Sequence, residues 1–228
     1  MCDTCGCGDP ELVAVDVQEK ILAGNDRTAA HNREHFRERG VVAVNLMGSP
    51  GSGKTAVLEA MARVLGPSRR LAAITGDLET DRDAQRLRAA GIPCVGVTTG
   101  SACHLDAEMV HRAFHHFAGL ELDYLFVENV GNLVCPAEVP LGEDARVVLL
   151  SVTEGDEKPL KYPLVFKTSD LLVITKTDLL PYVTFDVDRV RRAARAANPA
   201  VEIFEVSATT GAGMSALLDR IEALRAAK

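Results

Sequence analysis

Six cysteines have the most distinctive chemistry in this 228-residue chain, and three of them fall in its first seven positions. Cys2, Cys5 and Cys7 offer soft sulfur ligands that can surround one metal ion without a fold to support them. If Met1 is removed, the α-amino group of Cys2 becomes a fourth ligand. An N and S₃ set of this kind suits square-planar Ni²⁺ better than tetrahedral Zn²⁺. The tail therefore predicts a nickel site, the alternative being a tail that merely oxidises.

A second run of residues has the pattern of a phosphate-binding loop, G-x-x-x-x-G-K-[ST], between a predicted strand and a predicted helix. Its glycines let backbone N–H groups face phosphate oxygens, and the helix N-terminus adds a favourable dipole. We expect Lys54 to reach the β- and γ-phosphates and the Thr55 hydroxyl to coordinate Mg²⁺. The loop comprises Gly48, Ser49, Pro50, Gly51, Ser52, Gly53, Lys54 and Thr55.

Two carboxylates follow predicted strands at the edge where open α/β sheets bind ligands. Asp77 is predicted to enter the Mg²⁺ shell or to position the attacking water. Glu128 stands where a Walker-B acid is expected, and Gly131 can sense the γ-phosphate. Lys54, Thr55, Asp77 and Glu128 are thus the predicted catalytic residues.

Two later motifs indicate which base is bound. Thr175-Lys176-Thr177-Asp178 resembles the [NT]-K-x-D motif of GTPases, in which a carboxylate such as Asp178 accepts both N–H donors of guanine. The stem of Lys176 can cover the base. Ser207 and Ala208 resemble the start of the S-A-[KT] motif. The order of these motifs after the phosphate loop favours GTP and GDP over adenine nucleotides.

A second metal site is predicted from residues that follow other strands. Cys103 and His104 lie after one predicted strand, and Cys135 follows Glu128 closely. Two thiols and one imidazole make a plausible Zn²⁺ or Ni²⁺ shell with one position left open. From the spacing alone, two unrelated cysteines and a loop histidine remain the alternative.

Other residues with metal or anion chemistry have plainer interpretations. Cys94 is expected to be a core thiol. The pairs His31/His35 and His111/His115 each share a helix face, where a solvated or packed surface is the expected state. Lys158 and Lys161 are expected in a loop that contacts a nucleotide, a second subunit or only solvent.

Alternating apolar strands and helices must position these residues. Strands are predicted at residues 41–47, 71–75, 93–98, 124–128, 147–152, 171–175 and 202–206. Helices are predicted at residues 13–39, 54–65, 81–90, 106–117, 187–197 and 214–226. This order predicts an α/β P-loop NTPase whose mostly parallel sheet carries helices on both faces. The predicted organisation is a metal-binding tail (1–8), a helical segment (9–40) and a GTPase domain (41–228).

Charge and hydropathy exclude several classes of protein. The net charge of −7 argues against nucleic-acid and anionic-membrane partners. No apolar run reaches the roughly 20 residues that span a bilayer. The N-terminus lacks a basic stretch followed by a hydrophobic one, so no secretory signal is expected. We expect a cytoplasmic protein in which clustered cysteines bind metal.

Together these motifs resemble the hydrogenase nickel-incorporation GTPase family, HypB. The resemblance covers nearly the whole chain, and its most specific parts are residues 128–136 and 158–163. It implies a SIMIBI-type GTPase that uses Mg²⁺, handles Ni²⁺ and Zn²⁺ and holds metal at Cys103, His104 and Cys135. It also implies a homodimer that depends on GTP or metal. That dimer delivers nickel to the large subunit of [NiFe]-hydrogenase with a HypA-like accessory protein.

Three other functions were weighed against this one. A urease-type nickel GTPase carries Cys-Pro-His, whereas Cys135 is followed by Pro136 and Ala137. A phosphate-loop kinase of a small metabolite predicts ATP preference, which Asp178 opposes. A zinc-storage protein leaves the phosphate loop unexplained. The sequence shows no obvious arginine finger, so slow intrinsic GTP turnover is expected.

Overall fold

The structure, a computed structural model, describes residues 10–226, and within them the side chains of residues 22–66 and 68–226. Its core is a seven-stranded parallel sheet with strand order β3-β2-β4-β1-β5-β6-β7. The strands are β1 (Val42–Gly48), β2 (Leu71–Asp77), β3 (Cys94–Thr98), β4 (Tyr124–Glu128), β5 (Ala145–Ser151), β6 (Leu171–Thr175) and β7 (Glu202–Glu205).

Helices connect the strands and cover both faces of the sheet. They are α1 (Pro10–Glu38), α2 (Lys54–Leu65), α3 (Arg82–Ala89), α4 (Ala107–His115), α5 (Cys135–Glu138), α6 (Lys158–Lys161), α7 (Pro163–Lys167), α8 (Val187–Ala197) and α9 (Met214–Ala226). Short 3₁₀ turns lie at Gly66–Ser68 and Thr177–Tyr182. In the described part of the chain, no helix combines the length and apolarity needed to cross a membrane.

Alternating residues of β1 divide the core into two layers. Val42, Val44 and Leu46 pack with apolar residues of α2, α3 and α9 on one face. Val41 and Ala43 pack on the other face with residues of α1 and α4, while Met47 packs there with residues of α5, α7 and α8. A strand buried on both faces explains why its sequence is almost entirely apolar, with Asn45 as the buried polar exception. The predicted fold class is confirmed.

The predicted elements differ from the observed ones mainly in short segments. Helices α5, α6 and α7 lie where no helix was predicted, and α6 lies where a loop was expected. Each has a proline in its first turn: Pro136, Pro159 and Pro163 respectively. Proline suits this position because it has no N–H to leave unpaired there. Four or five residues are too few to show a helical period, so the sequence pattern did not reveal them.

Helix α1 is attached to the domain by buried polar contacts as well as apolar ones. Asn32 Nδ2 donates to the carbonyl oxygens of Ala107 (2.8 Å) and Leu141 (3.0 Å). Asn25 Oδ1 accepts a hydrogen bond from the N–H of Ala107, and the side chain of Phe36 is buried. The predicted boundary at residues 40 and 41 stays a prediction, and these contacts tie the two sides of it together.

Candidate functional site

The phosphate loop forms a closed turn between β1 and α2. The Ser52 N–H donates to the Ser49 carbonyl (3.1 Å), and Gly53 takes a left-handed φ of 94° that favours glycine. Lys54 is 7% exposed, and its Nζ donates to the carbonyl oxygens of Gly48 (3.2 Å) and Ser49 (3.3 Å). The loop and Lys54 border a cavity of about 440 Å³. The predicted phosphate-binding residues therefore share one concave site.

Burial of the lysine ammonium has an electrostatic consequence. Burial lowers the pKa of Lys54, and the surrounding carboxylates, chiefly Glu128 and Asp83, act in the opposite direction. A positive charge held in a poorly solvated loop attracts anions more strongly than a solvated one does. The buried position of Lys54 is consistent with the predicted contact to phosphate oxygens, which stays a prediction.

Three side-chain oxygens converge at the start of α2. Thr55 Oγ1 lies 2.8 Å from Glu128 Oε1 and 2.9 Å from Asp83 Oδ1. The hydroxyl has one proton and cannot donate to both carboxylates at once. Burial raises the pKa of Glu128 to about 7, with Lys54 opposing this shift and Asp83 adding to it. At least one of the two carboxylate oxygens beside Thr55 therefore lacks the proton of that hydroxyl.

Such a cluster fits the Mg²⁺ ion that the resemblance implies. Oxygen ligands from carboxylates, together with phosphate oxygens, are what Mg²⁺ prefers. Among the described residues, Glu128 Oε2 is buried without a hydrogen-bond partner. Thr55, Glu128 and Asp83 are thus the residues that would hold the ion or its bound waters.

Asp77 borders the same cavity but has different partners. Its Oδ1 accepts hydrogen bonds from the N–H groups of Glu79 (3.0 Å) and Thr80 (2.8 Å), and these bonds lower its pKa. Asp77 thereby shapes the loop after β2, whereas the carboxylates that contact Thr55 are those of Asp83 and Glu128. A role for Asp77 in the Mg²⁺ shell or in positioning water stays a prediction.

The predicted base-binding residues approach the phosphate loop from β6. The Thr175 hydroxyl donates to the Ser52 carbonyl (2.6 Å), and Lys176 Nζ donates to the Gly51 carbonyl (2.7 Å). Lys176 has a left-handed φ of 58°, which turns its stem over the loop. Thr175 therefore has a structural role, because its hydroxyl holds the base-binding motif, residues 175–178, against the phosphate loop.

The rest of the base-binding region is assembled by backbone contacts. The Thr177 N–H donates to the carbonyl of Val206, which brings the Asp178 and Ser207 segments together. Ser207 is buried, and its Oγ accepts a hydrogen bond from the Thr210 N–H (3.1 Å). The half-buried Asp178 carboxylate has no hydrogen-bond partner within residues 10–226. It therefore retains its full capacity to accept donors from a base.

Lys158 also reaches the phosphate loop. The sequence alone did not decide between a nucleotide, a second subunit and solvent as its neighbour. It begins the short helix α6, so the predicted loop was wrong at Lys158 and Lys161. Lys158 Nζ lies 3.4 Å from Ser49 Oγ and 3.9 Å from a Glu154 carboxylate oxygen. Lys161 pairs with Glu157 at the surface. Lys158 therefore adds a third ammonium beside the phosphate loop, after those of Lys54 and Lys176.

The three predicted internal metal ligands come together. The ligand atoms of Cys103, His104 and Cys135 all lie within 4.8 Å of one another, and all three residues are half-buried. Hydrogen bonding to the Cys103 thiol, followed by burial, raises the pKa of Cys135. Two sulfurs and one imidazole at this separation suit a borderline metal such as Ni²⁺ or Zn²⁺. Cys94, in contrast, is the expected core thiol, and burial raises its pKa to about 11.

Residues 128–135 connect this thiol–imidazole site to the phosphate loop. Asn132 forms an isolated bridge with Gly48, and its Nδ2 donates to the Cys103 carbonyl (3.4 Å). Gly131 packs so closely that a Cβ there would lie 2.8 Å from Pro50 Cγ. One short segment therefore touches both sites.

Asn129 strengthens the same connection from within the sheet edge. Its Oδ1 accepts a hydrogen bond from the Leu105 N–H (2.9 Å), and its Nδ2 donates to Asn45 Oδ1 (3.3 Å). The loop that carries Cys103 and His104 is thereby fixed to the end of β4, where Glu128 lies.

Comparison with known proteins assigns this arrangement to a family. Residues 42–205 match the model of the CobW/HypB/UreG nucleotide-binding domain. The chain belongs to the CobW/HypB/UreG family. It is 51% identical over 214 residues to the hydrogenase maturation factor HypB of Azotobacter chroococcum, covering 94% of this chain and 70% of that protein. The CobW/HypB/UreG match confirms the predicted family and its nucleotide-binding domain.

Solved structures agree with this assignment. HypB from Helicobacter pylori, crystallised in complex with nickel, superposes with a TM-score of 0.85 at 38% identity, covering 89% of this chain and 95% of that one. A LAO/AO transport system kinase shares the fold at a TM-score of 0.59 and 18% identity, covering 92% of this chain and 76% of that one. These matches confirm the predicted SIMIBI-type fold.

Some predicted residues lie outside the described part, and some functional candidates were not predicted. Cys2, Cys5 and Cys7 precede residue 10, so the nickel tail stays a prediction. The missed candidates are Asp83, which contacts Thr55, and Arg86, which borders the nucleotide cavity and pairs with Glu59 and Asp83. Asn132 lies within the motif at residues 128–136, but the sequence indicated no function for its side chain. A helix-start acid such as Asp83 has no spacing signature, so only the packing of α3 against α2 identifies it.

Proposed function

We propose that the chain is a GTP-hydrolysing nickel metallochaperone that delivers nickel to the large subunit of [NiFe]-hydrogenase. The observation that carries this proposal is the double contact of Asn132, with Gly48 at the start of the phosphate loop and with Cys103 in the thiol–imidazole site. A maturation factor must couple nucleotide state to metal binding, and this segment is the shortest connection between the two. The role named for the relatives supports the same function.

Hydrolysis uses the residues around the nucleotide cavity. Lys54 binds the β- and γ-phosphates, and Lys158 adds positive charge beside Ser49. Glu128, Asp83 and Thr55 would hold Mg²⁺ or its bound waters, and the ion would supply electrostatic stabilisation of the phosphate charge. Asp77 and Glu128 are the candidates for orienting the attacking water. Turnover is slow without a partner, because Arg86 is held by Glu59 and Asp83 rather than being free to reach the γ-phosphate.

Guanine selectivity rests on Asp178. Its carboxylate accepts the two N–H donors that guanine presents and adenine lacks, while Lys176 covers the base. The Ser207 and Ala208 segment closes the opposite side through the Thr177 contact with Val206. GTP and GDP are therefore the proposed nucleotides.

Nickel is the cargo, and the chain carries two stations for it. The tail thiols Cys2, Cys5 and Cys7 load the ion, and Cys103, His104 and Cys135 form an internal station that accepts Ni²⁺ or Zn²⁺. The proposed assembly is a cytoplasmic homodimer, formed with GTP or metal, that works with a HypA-like accessory protein. The proposed division of the chain is tail, α1 segment and GTPase domain.

Nucleotide preference tests the GTPase half of this proposal. We expect GDP to bind at least ~100-fold more tightly than ADP in the wild-type chain. Asp178→Ala should remove most of that preference, while Asp188→Ala, an exposed acid paired with Arg191, should not. Equal affinity of the wild-type chain for GDP and ADP would show that the base site is wrongly assigned.

Nickel titration tests the metal half. Replacement of Cys2, Cys5 and Cys7 by Ala should remove the tightest nickel binding and leave GTP hydrolysis within about twofold of wild type. The matched control is Cys94→Ala, which removes a buried thiol that faces neither site. Nickel affinity that is unchanged in the tail variant would refute the loading role of the tail.

A further inference from the structure

Four histidines from two separate helices form one cluster on the surface of the domain. His31 and His35 come from α1, and His111 and His115 come from α4. The ring centroids of His31 and His111 are 5.0 Å apart, those of His35 and His115 are 5.6 Å apart, and those of His111 and His115 are 4.6 Å apart. The sequence presents two independent pairs, and the packing of α1 against α4 joins them.

The ring nitrogens are close enough to share one ion. Ligand nitrogens of His35, His111 and His115 all lie within 4.8 Å of one another, and His111 Nε2 is 3.1 Å from His115 Nε2. Two nitrogens bound to one zinc ion at about 2.0–2.1 Å in a tetrahedral shell lie roughly 3.3 Å apart. His111 and His115 therefore already have the separation of two ligands to a common metal.

A buried amide fixes the orientation of the central ring. Asn32 Nδ2 donates to the carbonyls of Ala107 and Leu141, so its Oδ1 must face His111. His111 Nδ1 lies 3.0 Å from that oxygen and donates to it. The lone pair of His111 therefore lies on Nε2, on the side of His115. Metal-binding histidines commonly have their second ring nitrogen held in this way.

The surroundings of His35 and His111 disfavour the charged imidazolium, which cannot bind metal. Burial and the neighbouring imidazoles lower the pKa of both His35 and His111. Of the charged groups that face the cluster, Arg39 acts on His35 in the same direction, while Glu38 and Glu108 act in the opposite one. Arg39 is held by the carbonyls of Phe117 and Leu120, so its guanidinium has its own partners.

We propose that His35, His111 and His115, with His31 as a fourth ligand, form a site for a divalent transition-metal ion that bridges α1 and α4. Neutral imidazoles suit Ni²⁺, Cu²⁺ and Zn²⁺. This site has no thiolate and is half-exposed, so it binds metal more weakly than the thiol–imidazole site does. It is separate from both the tail thiols and Cys103, His104 and Cys135, and it does not depend on GTP hydrolysis.

Nickel titration of an untagged full-length chain tests the proposal. In the background variant, Ser replaces Cys2, Cys5, Cys7, Cys103 and Cys135, and Gln replaces His104. We expect this variant to bind one equivalent of Ni²⁺, and Co²⁺ to give ligand-field absorption without a sulfur charge-transfer band. Adding His115→Gln or His35→Gln should lower the affinity at least ~10-fold. The matched control is His116→Gln, an exposed neighbour outside the cluster.

Each alternative result has a definite meaning. No nickel binding by a folded background variant, or equal affinity in the His115→Gln and His116→Gln variants, would overturn the site. If His35→Gln kept full nickel affinity, the metal would be held only by the surface pair on α4, and the proposed bridge between α1 and α4 would be wrong. If the background variant does not fold, total bound nickel in the otherwise wild-type chain should fall by one equivalent with His115→Gln and not with His116→Gln. In the background variant, nickel should also raise the melting temperature, and adding His35→Gln should abolish that rise, because the ion joins two helices.

Discussion

The phosphate site and the thiol–imidazole site lie at the same edge of the sheet but are built in opposite ways. The phosphate site is one continuous loop, residues 48–55, against which Glu128 packs from the end of β4. Lys54, Thr55 and Glu128 are all at most 7% exposed, and Thr55 Oγ1 lies 2.8 Å from Glu128 Oε1. In the metal site, half-buried Cys103 and His104 come from one loop and half-buried Cys135 comes from another segment. A buried, mutually bonded site is preorganised, whereas ligands on two segments can change their relative position.

This difference suggests how the bound nucleotide affects the thiol–imidazole site. The phosphate loop is preorganised, so we expect a bound γ-phosphate to change its shape little. The effect should instead reach the residues that pack against the loop. Gly131 against Pro50, and Asn132 against Gly48, are the contacts that receive it. We therefore expect Cys135, at the far end of residues 128–135, to change position relative to Cys103 and His104.

The largest expected effect is loss of the buried ammonium of the phosphate loop. Lys54→Ala should reduce GTP hydrolysis by at least ~100-fold, because it removes the buried ammonium that donates to the Gly48 and Ser49 carbonyl oxygens. Single-turnover phosphate release measures this effect. Lys161→Ala, which removes an exposed lysine paired with Glu157, is the control. Normal hydrolysis by Lys54→Ala would remove the basis of the comparison, because the rigid site would then lie elsewhere.

The next effect concerns the adaptable site. Cys103→Ser combined with Cys135→Ser should weaken Ni²⁺ and Zn²⁺ binding by ~100-fold in a chain without the tail thiols, since hydroxyls are poor ligands for these ions. Hydrolysis should fall far less than in Lys54→Ala. Competition with a chromophoric chelator provides the affinities, and Cys94→Ala is the control. Unchanged affinity would mean that the three clustered side chains are not the ligands.

A smaller effect should follow from disturbing the contact between the two sites. Gly131→Ala places a Cβ 2.8 Å from Pro50 Cγ and 2.9 Å from Pro50 N, so the segment must move away from the phosphate loop. We expect hydrolysis to fall ~10-fold and any effect of nucleotide on metal affinity to weaken. Gly119→Ala has open space around it and is the matched control. If both variants behave alike, Gly131 is not a point of contact between the sites.

The smallest effect is a pH-dependent change in stability of the chain without metal and nucleotide. Burial holds the pKa of Glu128 near 7, above its ordinary value of 4.5, so ionisation disfavours the folded state. The stabilisation from its protonated form is complete below pH 4.5 and is lost as pH rises towards 7. Glu128→Gln should therefore match the wild type near pH 5 and exceed its free energy of unfolding by on the order of 1–3 kcal/mol at pH 8.

Thermal or urea unfolding in the presence of a chelator measures that difference. The control is Glu121→Gln, an exposed acid paired with Arg70, whose effect should stay below about 1 kcal/mol at both pH values. An equal effect of Glu128→Gln at pH 5 and pH 8 would show that the carboxyl group is not held protonated by burial.

The sequence predicted the rigid site better than the adaptable one for physical reasons. The phosphate loop and its flanking β1 and α2 are local, so one motif specifies residues 48–55 completely. Similarly, β4, β6, α2, α8 and α9 were predicted with their observed bounds, because strong apolar periodicity marks them.

Contacts between distant segments were not predictable from spacing. Asp83 meets Thr55 only because α3 packs against α2, and Asn132 meets Cys103 only because two loops end at one sheet edge. Likewise, the sequence assigns His35 and His115 to two separate surface pairs, and only the packing of α1 against α4 brings them together. The family resemblance raised Cys103, His104 and Cys135 above the plain alternative, and the geometry then brought them together.

The central claim is that nucleotide state and the thiol–imidazole site are thermodynamically coupled through residues 128–135. The most direct test measures Ni²⁺ affinity of the variant that lacks Cys2, Cys5 and Cys7, once with GDP bound and once with a non-hydrolysable GTP analogue. We expect the two nickel affinities to differ by at least ~5-fold. Bound metal should change the ratio of the GTP-analogue affinity to the GDP affinity by the same factor. Asn132→Ala should bring the two values together. Equal nickel affinity in both nucleotide states of the unmodified segment would contradict the claim.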